Sequence, residues 1–139
     1  MASILKVDEL QGKTTAKTVT VTVGASATQS LEQGLAKAWS HYDSYSTVSQ
    51  TDSFNIASLT DNGTGDVTNS LTNSMDNATF VVSGSATYGR SNAAAHGRYM
   101  SPHSTLGYAT THARIVAVYA YNNVQDCDYI NVIIHGDLA

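Results

Sequence analysis

The chain reads as all-β, an antiparallel β-sandwich of jelly-roll-like type with an extended N-terminal arm. Three observations lead there. Short segments of alternating or continuous apolar residues recur along the chain, separated by Gly, Asn, Asp and Ser clusters. Thr and Ser are abundant, and Thr favours strands. No segment carries a strong helical period, so no helix competes for the core. At 139 residues, the length of one ordinary domain, a compact chain buries roughly two-thirds of its unfolded surface. With 42% hydrophobic and 13% charged residues, that core must be economical.

Residues 1–17 form the arm, in which Ile4, Leu5, Val7 and Leu10 are apolar among charges and residues 11–15 read as a linker. An amphipathic helix this short is marginal alone, and an extended peptide docked on another subunit fits the pattern as well. The body spans 18–139. Residues 18–23 alternate strictly, with Val19, Val21 and Val23 on one face, and predict a half-buried strand that Gly24 ends. A loop or one helical turn follows, then a strand around Trp39. Residues 54–59 predict a strand with Phe54, Ile56 and Ser58 on one face, and Asp61-Asn62-Gly63 supplies residues tolerant of positive φ for a turn. Residues 67–71 return across it.

A polar loop over 73–77 leads to a strand over 78–83 centred on Phe80-Val81-Val82. Residues 86–111 are loop-rich, with short strands around Thr87-Tyr88 and Arg98-Tyr99-Met100, the latter closed by Pro102. Residues 114–121 are apolar on both faces, as in a strand covered on two sides. Residues 129–135 put Ile130, Val132 and Ile134 on one face, and 122–128 join these last two strands as a hairpin.

Chemistry is harder to find. A net charge of −4 gives no electrostatic footprint for nucleic acid or for an anionic membrane surface. The opening residues lack a secretory pattern and no stretch is long enough to span a bilayer, so the expectation is a protein made in a cytosol, without membrane insertion. Cys127 is the only cysteine, which excludes an intrachain disulfide, and its neighbours Asp126 and Asp128 should raise its pKa. His96, His103 and His112 match no short zinc spacing, and no Gly-x-Ser-x-Gly elbow singles out a nucleophile. Asp61 with Asp66 reads as turn capping, and Asp126 with Asp128 as solvation of a hairpin end. No catalytic residue, metal or cofactor is implied, and the expectation is a protein that is not an enzyme. Tyr42, Tyr45, Tyr88, Tyr99 and Tyr108 fall in loop-like sequence. They either fill the rim of a small core or contact a glycan or receptor.

The segment "SFNIASLTDNGTGD" (53–66) resembles "SFNVSSITDNGTGDY", which is common in small virion proteins of tailed bacteriophages, especially marine ones, usually labelled tail fibre proteins. "LAKAWSHYD" (35–43) is similar to that family's Trp-bearing strand. "SMDNATFVVSG" (74–84) is similar to its Met-Asp-Asn-Tyr stretch, "DYINVIIHGD" (128–137) to its closing strand and "ILKVDELQG" (4–12) to its N-terminal arm. Residues 44–52 and 85–112 have no counterpart, and Val67-Thr68-Asn69-Ser70-Leu71 departs from the family's Tyr-Thr-Val-Asn-Phe type of strand. The resemblance implies a homotrimeric structural protein on the virion surface, a fibre, head fibre or capsid decoration protein. Its partners would be itself and a major capsid or tail protein, reached through Ile4, Leu5, Val7 and Leu10. A host surface glycan stands as a further partner in the alternative of a non-enzymatic carbohydrate- or receptor-binding adhesin module.

Overall fold

A computed structural model describes residues 6–12, 19–23, 26–89, 96–119 and 123–139. The chain divides into two units, Met1–Leu35 and Ala36–Ala139. In the first, β1 (Thr20–Val23) pairs antiparallel with β2 (Ala27–Ser30), Thr20 opposite Ser30 and Val23 opposite Ala27. A single helical turn follows, α1 (Leu31–Gly34), capped by Ser30, whose hydroxyl accepts from Gln33 N at 3.4 Å. The alternation of β1 does make a strand, but one that belongs to this unit. Val21 is 42% exposed rather than half-buried, because a two-stranded ribbon has no second layer to cover its apolar face.

The second unit is an antiparallel sandwich nearly closed into a barrel. Its strands are β3 (Ala38–Asp43), β4 (Ser49–Phe54), β5 (Ile56–Gly63), β6 (Asp66–Leu71), β7 (Val81–Tyr88) and β8 (His96–Pro102). They continue as β9 (Tyr108–Ala109), β10 (His112–Tyr119), β11 (Asn123–Val124) and β12 (Tyr129–His135). The hydrogen-bonded order is β4-β3-β12-β7-β8-β10-β6-β5, with β9 and β11 also on β10. Strand β8 turns a corner: Arg98 faces Ala86 of β7, and from Tyr99 onward the strand pairs with β10. One sheet is therefore β4-β3-β12-β7, and the other runs from the second half of β8 through β10 and β6 to β5.

The opposite corner is Asn55, at φ 57. The expected continuous strand over 54–59 is broken there. Left-handed backbone reverses the side-chain alternation, so Phe54 is 53% exposed while Ile56 enters the core at 9%. Asparagine tolerates this conformation better than most residues. Its side chain also holds the corner: Nδ2 donates to Lys37 O at 3.0 Å and Asn73 O at 3.2 Å, and Oδ1 accepts from Asn73 N at 2.7 Å.

Two further expectations are corrected. The β5–β6 turn lies at Thr64-Gly65 rather than Asp61–Gly63. Strand β5 runs through Gly63, with positive φ at Gly63 and Gly65. Asp61 Oδ1 accepts from Gly63 N at 2.9 Å, which accommodates the irregular register there. Strands β10 and β12 are not a hairpin, because they lie in different sheets. The connection folds β11 back on β10, Val124 opposite Val118, before reaching β12. Asp126 and Asp128 act in this crossing as acceptors for other turns, from Gly65 N at 2.6 Å and Gly89 N at 2.8 Å.

The core lies between the sheets. Val67, Leu71, Ala113, Ile115 and Ala117 face Ala38, Tyr42, Ala86, Ile130, Val132 and Ile134. Each fully buried Val or Ile contributes about 1.5–3 kcal/mol. Asn69 is also fully buried, and its Oδ1 accepts from Ser40 Oγ at 2.7 Å, one hydrogen bond between β6 and β3 across the core.

Candidate functional site

Strand alternation decides what the sheet β4-β3-β12-β7 shows to the outside. Ala38, Ser40 and Tyr42 of β3 point inward, as do Ile130, Val132 and Ile134 of β12. The intervening residues Trp39, His41, Tyr129, Asn131 and Ile133 therefore point outward. The register then aligns them across strands: Trp39 is directly opposite Phe54 on β4 and Ile133 on β12. Directly paired residues have Cβ atoms about 4.5–5.5 Å apart, so Phe54, Trp39 and Ile133 form one apolar row across three strands. They are 53%, 36% and 40% exposed.

The neighbouring row is polar, with His41 between the exposed Asp52 on β4 and Asn131 on β12. His41 Nδ1 lies 2.6 Å from Asn131 Oδ1, and Asn131 Nδ2 donates to Ser85 Oγ at 3.2 Å. The His41 ring also lies against Tyr129, with centroids 6.2 Å apart. None of the four strands contains Lys or Arg. An outward sheet face ordinarily carries such charges to stay solvated and unpaired. This one combines exposed aromatics with strands free of Lys and Arg, and the carboxylate of Asp52, opposite His41, stands beside the apolar row rather than in it, a composition like that of protein interfaces.

The other sheet's outer face is different. Arg114 donates to both carboxylate oxygens of Asp66, at 2.8 and 2.7 Å. This ion pair holds the Arg114 guanidinium above its ordinary pKa. The doubly apolar β10 does present Val116 and Val118 outward, yet Val118 is only 7% exposed, flanked on its two sides by Tyr99 of β8 and Val124 of β11. Its second apolar face is thus partly covered by its own chain.

The five tyrosines do not make one site. Tyr42 is not in a loop: it lies on β3 in the core, 1% exposed, and is out of reach of any glycan. Burial pushes its phenol up to about 12, against a lowering effect of the adjacent Asn69. Tyr45 and Tyr88 are half-buried with rings 6.3 Å apart. The Arg98 guanidinium lies over Tyr88 at 5.4 Å and over Tyr119 at 4.4 Å, and Arg98 Nε donates to Gln125 Oε1 at 2.8 Å. These groups close one end of the sandwich. Tyr108 packs edge-on against Phe80 at 5.0 Å, beyond the other end of β7. Tyr99, 54% exposed, stands on the outer face beside β10.

Cys127 is fully buried, and its thiol is pushed up to about 11, chiefly by burial. Arg98 opposes that shift, while Asp128, Asp126 and Asp43 reinforce it. Such a thiol is a poor nucleophile at neutral pH. Among the described residues, no three His, Cys, Asp or Glu side chains come together as metal ligands, and no helix is long and apolar enough to cross a membrane. Of the arm residues, Val7 and Leu10 are each 55% exposed in a stretch without helix or strand, while Ile4 and Leu5 lie outside the described residues.

The row Phe54–Trp39–Ile133 was not singled out in the sequence. Its signal is the absence of Lys and Arg from four separate strands, visible only once those strands are known to be neighbours. Comparison with protein-family models, with curated proteins and with solved structures finds no match for this chain.

Proposed function

We propose that this chain is a structural protein of a tailed-bacteriophage virion surface, assembling through the outer face of the sheet β4-β3-β12-β7 and attached to the particle by its N-terminal segment. The observation that carries the reading is the in-register row Phe54–Trp39–Ile133 on a face whose four strands contain no Lys or Arg. Covering it removes apolar area from water at about 25 cal/mol per Å² and desolvates no Lys or Arg of these four strands. The resemblance of residues 53–66 and of four further segments to phage virion proteins supplies the class of assembly, and the trimer is what that resemblance implies. Val7 and Leu10, exposed in an irregular segment, suit an anchor that docks on a capsid or tail protein.

Incorporation into particles tests this reading. Deleting residues 2–12 should leave a folded, self-associated body that is absent from purified particles. Trp39→Ser should leave a folded monomer, also absent from particles. If both variants join particles as the unaltered chain does, the reading fails.

A further inference from the structure

The face opposite the cation-free sheet holds a second feature. A hollow of about 320 Å³ lies on the outside of β8, β10 and β11. Val116 and Val118 line its base. Tyr99 and Val124 flank Val118 from β8 and β11, both directly opposite it in register, and both remain exposed. Ser101 and His103 add polar groups where β8 ends. Among the described residues, no Lys, Arg, Asp or Glu side chain lines the hollow; the nearby Arg114 is already engaged by Asp66.

The polar groups are held in place. His103 N donates to Arg114 O, and Arg114 N to Gly107 O, each at 2.9 Å. A Cβ at Gly107 would lie 2.5 Å from His103 O, so the turn closes without spare room. His103 Nδ1 accepts from Thr105 N and Leu106 N, both at 3.3 Å. That pattern puts the proton of the neutral ring on Nε2 and makes Nε2–H the donor the ring can offer a ligand. The Ser101 hydroxyl donates to Pro102 O at 3.1 Å, so its remaining capacity is as an acceptor.

We propose that this hollow binds one ring of a neutral saccharide, with Tyr99 against the sugar's C–H face and His103 Nε2–H and Ser101 Oγ meeting its hydroxyls. Each part of the match is chemical. A pyranose has an apolar face and a rim of hydroxyls that both donate and accept, and the hollow sets an aromatic and valines beside the His103 donor, the Ser101 acceptor and the Ser104 hydroxyl. An uncharged lining suits an uncharged sugar, because a carboxylate or phosphate would be desolvated here without a cation to pair with. The volume sits at the small end of ligand sites, which run about 300–1,000 Å³, and suits one ring rather than a chain.

The test is NMR titration of the whole chain with methyl glycosides of glucose, galactose, mannose and N-acetylglucosamine, with N-acetylneuraminic acid as the charged comparison. At least one neutral glycoside should shift the amides of residues 99–103 and 116–118 in a saturable way, and the charged sugar should not. Tyr99→Ala and His103→Ala should each weaken that binding by about tenfold or more, with amide spectra outside residues 98–107 and 114–119 unchanged. His103→Gln, which keeps a donor, should retain more affinity than His103→Ala. The proposal is overturned if no neutral glycoside shifts these residues at millimolar concentration, or if binding survives both alanine changes. It is equally overturned if the acidic sugar binds more tightly, or if the same amides shift with protein concentration alone, which would make the hollow a contact between copies.

Discussion

Two asparagines and a cysteine carry much of what single residues contribute. Asn55 takes a backbone conformation that most residues avoid and recovers the cost through three side-chain hydrogen bonds that join the start of β3 to the end of β6. It is thus the point where one sheet becomes the other. Neither role is legible from a six-residue run that alternates as a strand should. Asn69 reads in the sequence as an interruption of an apolar strand; in the fold it is buried and bonded to Ser40. Cys127 was legible in direction but not in cause: burial outweighs the flanking carboxylates. Its pH consequence follows from linkage. The unfolded thiol titrates near 9.0 and the folded one near 11, so below the first value the group does not alter stability. As pH rises between the two, the unfolded chain releases a proton that the fold retains, and stability falls. Denaturant unfolding at about pH 8 and about pH 10.5 should show a loss for the unaltered chain that exceeds the loss for Cys127→Ala by roughly 2 kcal/mol. Equal losses in the two proteins would remove burial of the thiol as the cause.

At the scale of elements, strands with their own apolar period were legible and strands defined by their neighbours were not. Strand β12 alternates in sequence, and Ile130, Val132 and Ile134 are all buried as that alternation requires. Strand β4, Ser-Gln-Thr-Asp-Ser-Phe, has no such period and exists because β3 offers it a partner. Strand β7 extends through a stretch that reads as loop because Gly84 and the serines beside it weaken the pattern. Gly84 has a structural reason of its own. A Cβ there would lie 1.8 Å from the backbone oxygen of Asn131 on β12 and 2.7 Å from Met100 Cε. The methionine can move; the paired backbone cannot without parting β7 from β12. Gly84→Ala should therefore destabilise by roughly 3 kcal/mol or more, while Ser83→Ala next to it should stay within about 0.5 kcal/mol. Thermal unfolding of the two variants measures the difference, and comparable melting temperatures would mean that β7 and β12 are not packed this closely.

For the whole molecule, the class of fold was legible because class depends on the number and spacing of strands. The crossing between β10 and β12 was not, since two adjacent apolar strands read as a hairpin unless something diverts the chain. Here β11 diverts it by pairing back on β10, held by Gln125 N donating to Ala117 O at 3.0 Å. That crossing gives the end of β10 a flanking strand in its own sheet, whose Val124 stands beside Val118, and leaves the outer faces of β3 and β12 uncovered. The doubly apolar β10, covered on its outer side in part by its own chain, is therefore a weaker candidate for assembly than the row that begins at Phe54. The sandwich has two unlike faces, one whose four strands contain no Lys or Arg, the other with a hollow beside Tyr99.

The proposed assembly requires that the Phe54–Trp39–Ile133 row be covered by another copy of the chain. Light-scattering mass of the purified chain, measured across a concentration series beside Trp39→Ser and Phe54→Ser, tests it most directly. Three times the 14.7 kDa chain mass is expected for the unaltered protein and the single-chain mass for both variants, with unchanged circular dichroism. A chain that is monomeric throughout, or variants that associate as the unaltered chain does, would contradict it.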